Sequence, residues 1–290
     1  MKINIAIITS DQSAHIVPAT LYMYNKYLPN DIDYTIYVCG YKKPNIVETE
    51  KIKFIQMKER QEDINEWTTY VLSALQTIDS EYIILAFDDV ILNHSFNSKA
   101  LERISSIMDS RKEIGACYLG AGPHITNGDT VLINEDDFIL YQRNDGCYYR
   151  VNCQPAYWRK EVLISLLKKH SCSPWSLELN GGRYCPSEIK FLGCSPFNDD
   201  HRVQFPEKKH IQVFPYELKS SMSCSLIPNK VNILGIKIAD LRELIELKLL
   251  DPPNLIYCID HKINFTDIGY AFKRSMVGVE GDRHWFIYDD

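Results

Sequence analysis

Apolar residues run almost without interruption at positions 3–8 and 82–87, and each run ends in a short polar segment. A strand with one wet face would alternate, so these runs read as strands buried on both faces of a parallel sheet. Shorter runs at 34–39, stopped by Gly40, and at 53–57 predict two more strands. Between them the period changes to three and four residues. Ile16, Leu21, Tyr24 and Leu28 share one side of a helix over 15–28 that Pro29 and Asn30 end, while Ile64, Trp67, Val71, Leu75 and Ile78 mark an amphipathic helix leading into 82–87. Asp63 stands where that helix needs an N-cap. Leu101, Ile104 and Met108 predict a helix over 97–108, and 115–119 a further short strand. Strands and helices alternating in this way make a doubly wound α/β fold the expected architecture.

The middle of the chain is less regular. Gly, Pro, Asn and Thr crowd positions 120–129, which predicts a loop, and short strands are expected at 131–133 and 138–142 on either side of the acidic turn Glu135-Asp136-Asp137. Positions 147–152 read as a strand, Gln154-Pro155-Ala156-Tyr157-Trp158 as a turn, and 159–170 as a helix that buries Val162, Leu163, Leu166 and Leu167. Ser173 followed by Pro174 is an N-cap and N1 pair, so a helix starts there and carries Glu178 in its first turns. Beyond Cys185 the pattern thins to a strand at 211–216 and an amphipathic helix at 238–250, ended by Asp251-Pro252-Pro253. Tyr270, Phe272, Trp285, Phe286 and Tyr288 argue for a packed C-terminal segment, and a helical extension over 229–290 is expected behind a main domain of 1–228.

Composition narrows the picture. With 45% hydrophobic and 24% charged residues the chain is globular in type, not disordered. A net charge of -6 argues against a nucleic-acid partner, but it leaves room for a small anionic ligand whose phosphates are met by a metal, helix N-termini or a few basic side chains. Nine cysteines, odd in number and never spaced C-x-x-C, point to reduced thiols instead of a zinc ribbon or disulfide framework. No signal-like start and no spanning apolar run occurs, so a cytoplasmic protein is expected, and Asn93-His94-Ser95 and Asn264-Phe265-Thr266 are read as chance sequons.

The candidate chemistry begins at Asp88 and Asp89, which end the 82–87 run. Open α/β sheets bind ligands at the carboxyl edge of their strands. Two carboxylates there suit a divalent cation, a ribose or both, although Asp at a strand end also favours a plain turn.

Taken together, Thr9-Ser10-Asp11 after the first strand, AFDDVIL, QPAYW and PWSLELNGG resemble the GT-A-fold glycosyltransferases, nearest to bacterial enzymes of the family 2 type that serve surface-polysaccharide assembly. The likeness covers roughly residues 1–185. It implies a Rossmann-like mixed sheet flanked by helices, with a C-terminal extension. It also implies that Thr9, Asp11 and Asp63 lie near the base and ribose of a nucleotide sugar, that Asp88 approaches the ribose, and that Asp89 holds Mn²⁺ or Mg²⁺ on the diphosphate. Phe87 stands where many relatives carry the first acidic residue of that motif, which leaves metal-independent transfer open. Glu178 corresponds to the general base that takes the acceptor hydroxyl proton in inverting transfer, with Trp175 beside it as an apolar wall.

On the same likeness Gln154, Trp158 and Trp175 face the acceptor, Arg183 reaches a phosphate, and His201 or His284 completes a metal shell. The implied donor is a UDP-sugar before other nucleotide sugars, and the implied acceptor a saccharide or lipid-linked saccharide. A homodimer and peripheral seating at the inner membrane face are compatible with it. Two other classes compete: a nucleotidyltransferase, against which ITSDQSA offers neither glycine nor lysine for a phosphate loop, and a catalytically silent binding module.

Overall fold

The continuous apolar runs form the middle of one large sheet. In the computed structural model, residues 2–11, 13–59, 63–88, 92, 98–119, 128–135, 138–146, 149–195, 223–226, 231–234, 243, 244, 246–249, 270–274 and 283–287 are described. Among them are strands β1 (Lys2–Ile8), β2 (Asp33–Gly40), β3 (Ile52–Gln56), β4 (Tyr82–Phe87), β5 (Ile114–Leu119), β6 (Thr130–Glu135), β7 (Phe138–Gln142), β8 (Ala156–Arg159) and β9 (Lys190–Ser195). Helices α1 (Val17–Tyr27), α2 (Trp67–Thr77), α3 (Ser98–Ser110), α4 (Lys160–Lys169) and α5 (Pro174–Tyr184) flank them. The strand order is β3-β2-β1-β4-β8-β5-β9-β7-β6. The chain is thus of the expected α/β class, a mixed sheet between helical layers.

Strand alternation sorts the core into two layers. Ile83 and Leu85 point to one side with α2, α4 and α5, where Trp67, Val71, Leu75, Leu163 and Leu177 pack. Ile84 and Ala86 point to the other, against Val17, Leu21, Leu101 and Ile104 of α1 and α3. Both faces of β4 are therefore dry, which is why its sequence lacks polar alternation.

Two expectations need correcting. The segment Gln154–Trp158 is expected to be a turn, but only Gln154 and Pro155 lie outside regular structure; Ala156 opens β8, which runs antiparallel to both β4 and β5. Four residues are too few to show a period. Arg159 fixes the far end of β8: it is 2% exposed and donates to the carbonyls of Met108 and Ile114 and to the Tyr82 hydroxyl. The strand expected at 147–152 is also absent where it is described, since residues 149–151 are turn and bend and Asn152 is in no regular element.

The expected strand at 211–216 lies outside the described residues. Of the expected 238–250 helix, Glu243, Leu244 and Glu246 are helical; Glu243 accepts from Tyr22 and Lys26 of α1, and Leu244 is fully buried. Strands are described there too: β10 (Ser223–Leu226), just before the expected boundary at 228, pairs with β11 (Val231–Leu234) beyond it, and β12 (Tyr270–Arg274) pairs with β13 (Arg283–Ile287), both antiparallel.

Candidate active site

Parallel pairing of β1 with β2 and β4, and of β2 with β3, brings the carboxyl ends of four strands to one edge. Thr9 follows β1 there. Its N–H donates to the Cys39 carbonyl at 2.9 Å, and its hydroxyl donates to the Asp88 carboxylate. Asp88 is 4% exposed; its own N–H reaches the Ile8 carbonyl at 3.2 Å, and its carbonyl accepts from the Thr20 hydroxyl of α1. The carboxylate and Thr9 thus form a strut between β4 and β1, turned toward the α1 side of the sheet. Gly40 makes room for it, since a Cβ there would stand 2.6 Å from the Thr9 methyl. Asp11 is exposed, with one oxygen accepting from the Lys42 N–H at 3.3 Å.

Phe87 points the opposite way. Its ring stacks on Trp67 at 6.0 Å and 17°, half-buried against the α2 layer. An apolar residue at this position therefore has a structural cause, the indole it covers. Asp89 lies outside the described residues, as does His201; His284 lies in β13. Among the described residues no group of three or more His, Cys, Asp or Glu side chains comes together to hold a metal. Asp63 caps the single 3-10 turn Ile64–Glu66 that leads into α2, accepting from the Asn65 N–H at 2.8 Å.

The same edge contains a cluster that sequence reasoning missed. Tyr41, directly after β2, is 2% exposed, and its buried hydroxyl oxygen has no hydrogen-bond partner among the described residues. Burial, with Tyr70 and Asp11 adding to it and Lys58 opposing, pushes its hydroxyl up to about 12. Tyr70 of α2 meets it edge-on at 5.7 Å, donates to Glu66, and accepts from the Lys58 ammonium at 3.3 Å. The signal in the sequence was weak: an aromatic after Gly40 and a lysine after Met57, each just past a strand end.

The second half of the site is built on α5. Ser173 caps it, its hydroxyl accepting from the Ser176 N–H at 3.2 Å, and Pro174 takes the first helical position as expected. Glu178 then faces the loop before β8, where its Oε1 accepts from the Cys153 N–H at 2.7 Å. That loop is held at the sheet edge because the Leu119 N–H donates to the Pro155 carbonyl at 2.8 Å and Ala156 registers with Leu85. Cys153 therefore sits past the carboxyl ends of β4 and β5, on the same edge as Asp88. Burial raises the Glu178 carboxyl above the ordinary range, and the Cys153 N–H opposes it. Such a group holds its proton longer and takes one more readily than a free carboxylate.

The aromatic residues divide. Trp175, one turn before Glu178, is 65% exposed, as is Leu179. Trp158 is 1% exposed and packs edge-on to Tyr118 and Phe191, so it is a core residue with no face for an acceptor. It belongs to a strand whose neighbours lie on both sides, and alternation turns it inward. Gln154 is half-buried, with its N–H on the Asn152 side chain, and Arg183 is exposed in the last turn of α5.

No family model and no curated protein matches the chain. Among solved structures it is similar to a CMP:2-keto-3-deoxy-manno-octonic acid synthetase solved with CTP, at 14% identity and a TM-score of 0.36, over 67% of this chain and 89% of the other. It is also similar to S. aureus TarS, at 13% identity and a TM-score of 0.39 over 67% of this chain and 35% of that one. A TarS fragment of residues 1–349 gives 12%, 0.38, 67% and 58%. Scores of this size carry no functional assignment, so the function is argued from the site. No helix among the described residues is long and apolar enough to cross a membrane.

Proposed function

We propose that the chain is an inverting glycosyltransferase of the GT-A type that moves a sugar from a nucleoside-diphosphate sugar to a hydroxyl of a saccharide or lipid-linked saccharide. One observation carries this reading: Glu178, a carboxyl raised by burial, is oriented by a backbone N–H at the carboxyl edge of the sheet, with the exposed ring of Trp175 one turn away. In this reading the acceptor hydroxyl loses its proton to Glu178 as its oxygen attacks the anomeric carbon from the face opposite the diphosphate. Trp175 offers an apolar surface for the C–H face of the acceptor ring. In this reading Asp11 and the Tyr41–Lys58–Tyr70 cluster, at the carboxyl edge of β2 and β3, would meet the nucleoside. Asp89 would hold Mn²⁺ or Mg²⁺, which when bound offsets the charge of the leaving diphosphate.

The geometry of Phe87 and Asp88 favours a second reading, a catalytically silent GT-A-like module that binds a glycan or a partner. Phe87 is committed to Trp67 and Asp88 to Thr9, so neither side chain is presented at the edge as a free ligand. A panel of UDP-, GDP-, dTDP- and CMP-sugars, each with Mn²⁺ and with EDTA, separates the readings. A donor that raises Tm and is consumed when acceptor saccharides are added supports the transferase. A donor that raises Tm and stays intact with every acceptor contradicts turnover, and no stabilisation by any donor, with the fold intact, contradicts the transferase and favours the module.

A further inference from the structure

The loop that meets Glu178 is pinned from beneath, and we propose that Tyr118 and Asn152 are positioning residues which hold the Cys153 N–H in register with the Glu178 carboxylate. The proposal rests on reading Glu178 as the reactive carboxylate, but it concerns how that group is held.

Tyr118 lies in β5 and is 1% exposed. Its hydroxyl donates to the Arg150 carbonyl at 2.9 Å and accepts from the Asn152 N–H at 3.2 Å, closing the loop onto the sheet through one oxygen atom. Asn152, 6% exposed, completes the turn with its side chain: its oxygen accepts from the Gln154 N–H at 2.9 Å, and its amide donates to the Tyr149 carbonyl at 3.2 Å. Cys153 is the residue between these two anchored neighbours. Its N–H has its direction set by the peptide planes on either side, and it points at Glu178 Oε1, 2.7 Å away.

Other contacts hold the loop without being made to this N–H: the Cys153 thiol donates to the Pro174 carbonyl at 3.7 Å. Buried Arg143 donates to the Tyr149 carbonyl at 3.3 Å, and buried Arg150 donates to the carbonyls of Pro186 and Ile189. Gly181 of α5 lets Val151 come close, since a Cβ there would stand 3.0 Å from its methyl. These contacts fix how far α5 is from the loop. The Tyr118 hydroxyl and the Asn152 amide fix which way the peptide of Cys153 faces. Among the described residues, burial raises the Glu178 carboxyl and that N–H lowers it, so a change in the peptide's direction has a direct readout.

The test is a ¹³C titration of Glu178, assigned with Glu178→Gln, in the full chain and in Tyr118→Phe and Asn152→Ala. Hydrogen exchange at the Cys153 amide is measured alongside. Tyr82→Phe is the control, because it removes a hydroxyl from the other face of the sheet. A hydrogen bond to the carboxylate favours its charged form, so both loop variants are expected to shift the Glu178 midpoint upward and speed Cys153 exchange, while the control changes neither. Tyr118→Phe and Asn152→Ala are independent routes to the same N–H, so either folded variant suffices. An unmoved midpoint with unchanged exchange in a folded loop variant overturns the proposal. An upward shift in the loop variants together with full turnover by Glu178→Gln sustains the positioning role while removing Glu178 as base, so the two failures are distinguishable.

Discussion

Replacing Phe87 by Asp restores the acidic residue to the motif, and the structure predicts a loss of stability with no gain of a metal ligand. The Phe87 and Trp67 rings lie 6.0 Å apart and 17° from parallel, with Phe87 half-buried against the core layer of α2. Truncating a fully buried Phe costs about 3–5 kcal/mol, and partial exposure brings that to about 2 kcal/mol here. Leaving a carboxylate against the indole without a donor adds about 1 kcal/mol, for a total of about 3 kcal/mol. Desolvation would raise the folded-state pKa of the new carboxyl, so its share of the penalty is present at neutral pH and relieved as the pH falls below its unfolded value. Urea unfolding followed by tryptophan fluorescence at neutral and acidic pH measures the loss, and calorimetric titration with Mn²⁺ measures any new affinity. Phe87→Leu, which keeps apolar volume but not the stack, should lose about 1 kcal/mol. A Phe87→Asp protein as stable as the parent that gains Mn²⁺ binding would refute the reasoning, because it would mean that the side chain at 87 faces the ligand.

Gly40→Ala should destabilise by about 1–3 kcal/mol through overpacking against the Thr9 methyl, and Thr9→Ser, which removes that methyl, should recover most of the loss in the double variant's thermal melt. Asp63→Ala should cost about 1 kcal/mol as a lost cap, with Asp63→Asn close to wild type in the same melt; equal losses in both would argue against the capping role. Burial raises the Glu178 carboxyl, so the folded chain binds that proton more tightly than the unfolded chain and stability falls as pH rises through the interval between the two values. Glu178→Gln should therefore gain on the parent from acidic to neutral pH in urea melts, and a pH-independent difference would contradict the raised value.

The parts of the fold that could be read from the sequence are those where burial is uniform over a long segment. β4 and β1 announced themselves as dry on both faces, and α2 through its spacing of Trp67, Val71 and Leu75. Ser173-Pro174 named the start of α5 because capping is local chemistry. β8 was hidden because it is four residues long and holds its place through Arg159, whose bonds reach three distant elements. Within the candidate site, Glu178 stands out as a carboxylate in an ordered set of motifs, but the N–H that meets it does not. A backbone N–H has no sequence signature, and Tyr118, 35 residues before Cys153, gives no sign that its hydroxyl closes that loop. For the same reason Thr9 and Asp88 looked like two separate ligand contacts, whereas across 79 residues they hold each other.

The most direct test of the account is the rate of sugar transfer by Glu178→Gln, measured with the donor found in the stabilisation panel and set beside the parent. Glutamine keeps an oxygen for the Cys153 N–H, so the fold and the donor-dependent rise in Tm are expected to persist while transfer falls by about 10²–10⁴-fold, the usual share of a general base. Transfer at the parental rate, with donor binding unchanged, would contradict the role given to Glu178.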